Sequence, residues 1–426
     1  MTVESASIHG LAPLRNHDFR FLLGGFAIGQ MLMPLQFITQ ILWVQHNAPN
    51  DIWLILVALI GASRGVGTLI FGLYGGALAD RYNRKTLLIV TQSLLIGTTV
   101  IIAALMYINP GTVGGFAAFF AFTFLSAGLQ SIDAPTRLAI VPDVLGPELT
   151  PAGMSLNQAA AQLAMPVALF ASGLIIEVVG FSGAFLLTAL GHLAAVIFVA
   201  LMAYTPQSDQ RNVRRALGFS GAIDDIREGF RVARSHPQVM RVIALVVAMM
   251  AFGFPVTANL GPTWITTVVG VELKYVGFVV MTWGIGAFVA AFALARFPSI
   301  SRRGAMVAAG ALLFSVSFLV FVFDNNIVNT IIGNLGLGAG MTIAMVSSTI
   351  LIHEQVPNEA RGRVMSIFQL NMGAAQLMTM PVALLGQWLT LPVLFPLVAL
   401  VTLIIVVAMT AFQPKLFAAS TGANGP

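Results

Sequence analysis

The chain has 426 residues, of which 58% are hydrophobic and only 9% charged, with a mean hydropathy of +0.90 and a formal net charge of +5. Soluble domains carry about 25% charged residues, so this composition excludes a soluble or disordered chain and points to a polytopic membrane protein. The absence of cysteine removes disulfides, cysteine metal sites and thiol chemistry.

Charge-free stretches set the expected spans, at roughly 20 residues per crossing. Residues 1–20 read as a polar cytoplasmic N-terminus without the pattern of a cleavable signal peptide. Span one falls within 21–50 and span two within 52–79, broken only by Arg64. The stretch 86–132 is about twice the length one crossing needs. A turn signal at Asn109-Pro110-Gly111 divides it into spans three and four. Spans five and six fall within 149–176 and 178–208. The polar segment 209–241 follows, and 223–231 within it has the spacing of a surface amphipathic helix or a plain basic linker. Spans seven to ten fall within 242–271, 275–295, 304–323 and 325–353. The stretch 364–414 is again double, with a break near Leu389-Thr390-Leu391-Pro392, and supplies spans eleven and twelve.

The expected fold is therefore an all-α membrane protein of twelve transmembrane helices. Its two pseudo-symmetric six-helix halves are 21–208 and 242–414, joined by the linker and followed by a tail at 415–426. Every Lys and Arg except Arg64 and Lys274 then falls on one side, which the positive-inside rule makes cytoplasmic, with both termini inside. An internal repeat agrees with two halves. Offset by 219 residues, Arg64-Gly65-Val66-Gly67 falls on Trp283-Gly284-Ile285-Gly286, and Arg84 falls on Arg303. Offset by 211, Met154-Ser155-Leu156-Asn157-Gln158 falls on Met365-Ser366-Ile367-Phe368-Gln369. Duplicated halves around a central cavity are the architecture of secondary transporters.

One short turn stands out: Gly76-Ala77-Leu78-Ala79-Asp80-Arg81-Tyr82-Asn83-Arg84-Lys85, one acid and three bases between spans two and three. A solvated basic loop would account for the bases but not for the acid among them. The turn resembles motif A of the major facilitator superfamily, with Asn83 in place of the motif's second Gly. The phrase Glu228-Gly229-Phe230-Arg231 running to His236-Pro237 is similar to the connector of the branch containing macrolide and enterobactin exporters. The resemblance implies alternating access, with Gly76, Asp80, Arg81, Arg84 and Lys85 forming a gate that docks at the start of span eleven, here Arg361-Gly362-Arg363. Arg137 would close an ion network with Asp80.

Candidate substrate or proton groups are few. Arg64 lies 16 residues before Asp80, about 24 Å along a helix and so near the bilayer midplane. It is either a structural pair or an anion-binding or proton-linked group of a wet cavity. Glu177 reads as an interfacial carboxylate or a proton carrier. His192, in mid-span, could titrate near neutrality or be a packed, hydrogen-bonded histidine. Asp133 is expected to serve the end of span four together with Arg137. Gln30, Gln36, Gln40, Asn334, Gln369, Asn371 and Gln376 either join helices or meet substrate. Gln30 stands where related exporters often carry an acid, which weakens proton coupling through span one.

No metal spacing, phosphate loop or catalytic constellation is present in the sequence, so no enzyme, cofactor, metal or nucleic-acid partner is expected. The resemblance implies a monomeric secondary transporter of the cytoplasmic membrane, exporting an amphipathic, drug- or siderophore-like molecule by proton antiport. Uptake or lysophospholipid-type transport by the same fold, and a non-transporting receptor, remain as alternatives.

Overall fold

The computed structural model describes residues 11–108, 111–204, 219–296 and 302–411. Of the expected segments, the N-terminus 1–20, the turn Asn109-Pro110-Gly111 and the linker 209–241 lie partly outside the described residues, and the tail 415–426 lies wholly outside them. Among the described residues there is no strand. After a 3-10 turn at Ala12–Arg15, the helices are α1 (His17–Asn47), α2 (Trp53–Arg81) and α3 (Arg84–Ile108), then an 89-residue run, Val113–Leu201. Next come α7 (Phe219–Ser235), α8 (Pro237–Phe254), a π turn (Pro255–Asn259) and α9 (Gly261–Thr267). The last are α10 (Leu273–Arg296), α11 (Arg303–Phe321), α12 (Ile327–Gln355), α13 (Asn358–Leu385) and α14 (Leu391–Ala411).

The 89-residue run is three helices, not one. Straight, it would be about 130 Å long, roughly four times the hydrocarbon thickness of a bilayer. Two residues leave helical geometry, Gly146 (φ 71°, ψ 170°) and Gly180 (φ 69°, ψ 176°). They divide it into α4 (113–145), α5 (147–179) and α6 (181–201). Pro147 follows the first bend at the opening position of a helix, where its missing N–H leaves nothing unsatisfied. With α8, the π turn and α9 taken as one broken crossing, and α7 set aside, the helices among the described residues number twelve. Nine of the continuous helices among the described residues are long and apolar enough to cross a membrane, counting Val113–Leu201 as one. The α13 helix, whose apolar residues are interrupted by Asn371, Gln376 and Thr379, is not among the nine. Large apolar side chains such as Val178, Leu190, Phe292 and Ile404 are exposed, as a lipid solvent allows and water does not.

The expected crossings are present, with two differences. The α4 helix runs past the charge-free stretch that ends at Ile132, on to residue 145, and carries the Asp133–Arg137 ion pair within it. Span seven is not one straight helix but is broken by a π turn between Pro255 and Pro262.

Asn16, Asn83, Thr112 and Asn326 each accept a backbone N–H at a helix start, from Phe19 (3.0 Å), Thr86 (3.1 Å), Gly115 (3.2 Å) and Val328 (2.8 Å). Asn83 therefore has the task of opening α3.

The chain forms two compact units, residues 1–43 with 66–217 and residues 44–65 with 218–426. In the first, Phe19, Leu22, Leu88, Ile140, Val141, Leu145, Val199 and Met202 make a buried cluster joining α1, α3, α4 and the end of α6. In the second, Trp264 stacks on Phe395 (5.3 Å between ring centres), and Phe314, Phe318 and Phe321 are buried on α11. The α7 helix lays its buried Gly229 and Ala233 toward α13 and leaves Arg227, Phe230, Arg231 and Arg234 exposed.

The two units repeat one contact. A Cβ on Gly67 of α2 would lie 2.4 Å from the carbonyl oxygen of Phe124 on α4; one on Gly286 of α10 would lie 1.9 Å from that of Leu335 on α12. The glycines are 219 residues apart and the carbonyls 211, the two offsets of the internal repeat. Only a residue without Cβ lets these backbones meet.

Both bend glycines occupy a region of backbone space that is essentially closed to other residues, at about 1–3 kcal/mol each. Gly146→Ala and Gly180→Ala are expected to lower the thermal midpoint of the purified protein, whereas Gly29→Ala, where a Cβ meets nothing within 4 Å, is not. Melting of the three variants side by side checks this.

Candidate functional site

The first unit holds a largely buried chain of polar side chains that leaves α4 and returns to it. It starts on α4, where Asp133 and Arg137 stand four residues apart and so face the same way. Arg137 Nε donates to Asp133 Oδ2 at 2.6 Å, and the two side chains are 4% and 13% exposed. The guanidinium lies against Gly25 of α1, where a Cβ would come within 2.9 Å of Nη1. Both its Nη groups are buried without a hydrogen-bond partner among the described residues.

The other carboxylate oxygen, Asp133 Oδ1, accepts from Gln92 Nε2 of α3 at 2.8 Å. Gln92 Oε1 then accepts from His192 Nδ1 of α6 at 2.8 Å. Gln36 Nε2 of α1 donates to His192 Nε2 and to Thr188 Oγ1, both at 3.2 Å. Gln36 Oε1 accepts from Gln130 Nε2 at 3.0 Å, which returns the chain to α4 one turn from Asp133. Gln36 and His192 are 2% and 4% exposed; Gln130 is half-buried.

The carboxylate fixes the orientation of Gln92 and, through it, the proton on His192 Nδ1. A carboxylate only accepts, so Gln92 must turn its amide nitrogen to Asp133 and its oxygen to His192. The imidazole then donates from Nδ1, and in the orientation shown Nε2 accepts from Gln36. Gln36 must offer its nitrogen to Nε2 and its oxygen to Gln130.

Of the expected gate residues, Arg137 is bonded to Asp133, and Arg84 and Lys85 make separate bonds. Arg84 Nη1 donates to Ala139 O and Asp143 Oδ2, both at 2.8 Å, and Asp143 also accepts from Tyr204 at 2.6 Å. Lys85 Nζ donates to Met202 O at 2.5 Å. These bonds tie the start of α3 to the ends of α4 and α6. Gly76, Asp80 and Arg81 close α2, and Arg363 and Gln369 lie on α13, but their side-chain surroundings fall outside the described residues.

Asp133 and Arg137 do not serve a helix end, because α4 runs eight residues beyond Arg137. Glu177 is exposed near the end of α5. Gln30 is half-buried on α1 and lies outside the ring. Arg64 is half-buried on α2, in the segment that clusters with the second unit. Asn334 bridges α12 to α10, donating to Val279 O (2.8 Å) and Thr282 Oγ1 (3.1 Å).

Gln92 and Asn259 were not among the expected site residues. Asn259 closes the π turn in the second unit and donates to Gln376 Oε1 (3.0 Å) and to Thr379 of α13. Gly61 makes room for that pair: a Cβ there would lie 2.9 Å from both Asn259 Nδ2 and Gln376 Oε1. Gln45 also donates to Thr266 at 2.9 Å. Bracketing prolines at 255 and 262 were the available signal for the turn.

Residues 20–375 match the family model of the Major Facilitator Superfamily. The Staphyloferrin A transporter of Staphylococcus aureus (strain NCTC 8325 / PS 47) is 22% identical over 333 residues, 78% of this chain and 80% of the relative. Among solved structures, a mutant of the nucleoside transporter NupG superposes with a TM-score of 0.72 at 12% identity, over 95% of this chain and 100% of its own. A D-xylose-proton symporter superposes with a TM-score of 0.70 at 15% identity, over 93% and 97%.

Two outcomes test the site. Gln92→Leu strands a carboxylate oxygen and an imidazole N–H, each costing about 1–3 kcal/mol when buried. Gln92→Glu sets a second carboxylate against Asp133, so melting temperatures should fall in the order wild type, Gln92→Leu, Gln92→Glu. Burial, then the hydrogen bond to Asp143 and its negative charge, push the Tyr204 phenol above its ordinary value. A raised pKa adds stability that is complete below the unfolded value of about 10 and is lost as pH rises through the folded one. The stability difference between wild type and Tyr204→Phe should therefore shrink above about pH 10, as read by melting against pH.

Proposed function

The chain belongs to the Major Facilitator Superfamily, and from that premise we propose that it exports an amphipathic, siderophore-like molecule in exchange for protons. Membership makes it a multi-pass membrane transporter of a small molecule and not an enzyme. The observation that carries the proton-coupled reading is the buried ring, which holds a carboxylate and an imidazole in one hydrogen-bonded circuit. A buried ionisable residue inside a membrane protein is costly, which makes it a candidate functional site.

The substrate class rests on the staphyloferrin A relative and on Arg64, a half-buried cation on α2 suited to an anionic group. The direction rests on the linker phrase, which is similar to the connector of the exporter branch. The placement of Lys and Arg supports termini in the cytoplasm and residence in the cytoplasmic membrane. In this reading a monomer suffices.

The test is retention of labelled siderophores and amphiphiles in cells expressing wild type, Asp133→Asn or Arg64→Gln, with and without a protonophore. Several-fold lower retention in wild type, abolished by the protonophore and by Asp133→Asn, supports proton-driven export. Higher retention reverses the direction to uptake. If Arg64→Gln handles anionic and neutral compounds alike, the role given to Arg64 falls; if no compound responds, the substrate class falls.

A further inference from the structure

We propose that His192 is the proton-binding residue of the ring and that Gln36 and Gln130 are positioning residues that carry its charge state to α4. The proposal rests on the proton-coupled reading above and names its site.

The surroundings of the imidazole are asymmetric. On the α3 side, Nδ1 already donates to Gln92 Oε1, and Gln92 donates on to Asp133. That side suits an imidazolium as well as it suits a neutral ring, so it need not change when a proton arrives. On the α1 side, Nε2 accepts from an amide N–H. A proton on Nε2 would set two donors against each other, so Gln36 must rotate its carboxamide and present Oε1.

The rotation cannot stay local. Gln36 Oε1 now accepts from Gln130, so a turned Gln36 presents N–H where Gln130 also presents N–H. Gln130 must turn as well, and its contact with Ser126 Oγ at 3.5 Å goes with it. Thr188 loses the amide donor it now accepts from, but keeps its own bond to Phe185 O at 2.7 Å. One proton on α6 therefore reorients a side chain on α1 and then one on α4.

Both oxygens of Asp133 already accept hydrogen bonds, from Gln92 Nε2 and from Arg137 Nε. Among the described residues, the charged groups that act on His192 are Asp133 and Arg137 of α4. Its α1 and α3 neighbours within hydrogen-bond reach are the carboxamides of Gln36 and Gln92. Asp133, reached through Gln92, offsets the imidazolium charge, and Arg137 opposes it.

The test is 15N NMR of histidine-labelled full-length protein in lipid nanodiscs, titrated from about pH 4.5 to about pH 8. The His192 signal is identified by its loss in His192→Gln. Gln36→Glu supplies an acceptor to Nε2–H and should raise the His192 midpoint by about one pH unit, a tenfold gain in proton affinity. Gln130→Leu removes the donor that locks Gln36 and should raise it in the same direction. Size-exclusion profiles show whether each variant folds, and either variant alone suffices. A His192 that does not titrate in this window, or a midpoint unmoved by whichever variants fold, overturns the proposal. No substrate is needed, so a correct titration with no proton-driven flux would instead refute the transport reading.

Discussion

A buried carboxylate can only accept hydrogen bonds, and the first unit is arranged around the consequences of that at Asp133. Its two oxygens face two donors, Arg137 Nε and Gln92 Nε2. From there the polarity passes through an amide, an imidazole and two more amides before returning to the helix it left. Four helices are held in one mutual arrangement by a chain of hydrogen bonds in which each orientation depends on the next. Each bond alone contributes about 0.6–1 kcal/mol in a membrane. The larger effect is the penalty for breaking any one of them, since the stranded partner has no water to turn to.

The second unit is held by shape more than by polarity. Gly286 meets the Leu335 carbonyl, and Gly338 meets the Trp283 carbonyl, so α10 and α12 touch backbone to backbone in both directions. One group of its polar bonds lies where the helix is irregular, at the π turn ending in Asn259. A π turn leaves backbone groups out of the regular ladder and is often found where a helix has to change shape. The units therefore share a repeated skeleton, seen in the matched contacts of Gly67 and Gly286, and differ in what was built upon it.

Much of the fold was legible because charge is so scarce. The turn at Asn109-Pro110-Gly111 and the amphipathic linker segment both fell close to the observed helix limits of α3, α4 and α7. Charge marks a boundary less well where two charges pair: Asp133 and Arg137 sit inside α4, which runs past the charge-free stretch. The single-residue bends at Gly146 and Gly180 leave no polar run to mark them. The ring was half visible, since Asp133, Arg137 and His192 were each suspect. Its joining residue Gln92 was not, because it is uncharged within an apolar stretch and its partners are 41 and 100 positions away. Only folding brings such residues within reach, and no local pattern records it.

Between α4 and α5, and again between α5 and α6, the connection is a single glycine. Such a joint has no slack: it can pivot, but it cannot lengthen. A shift of α5 along its axis is passed directly to both neighbours, whereas α13 and α14 are separated by the five residues 386–390 and can slip independently. The same geometry marks where the chain will tolerate an inserted tag or fluorophore. The 386–390 connection has room for one, and the bends at Gly146 and Gly180 do not.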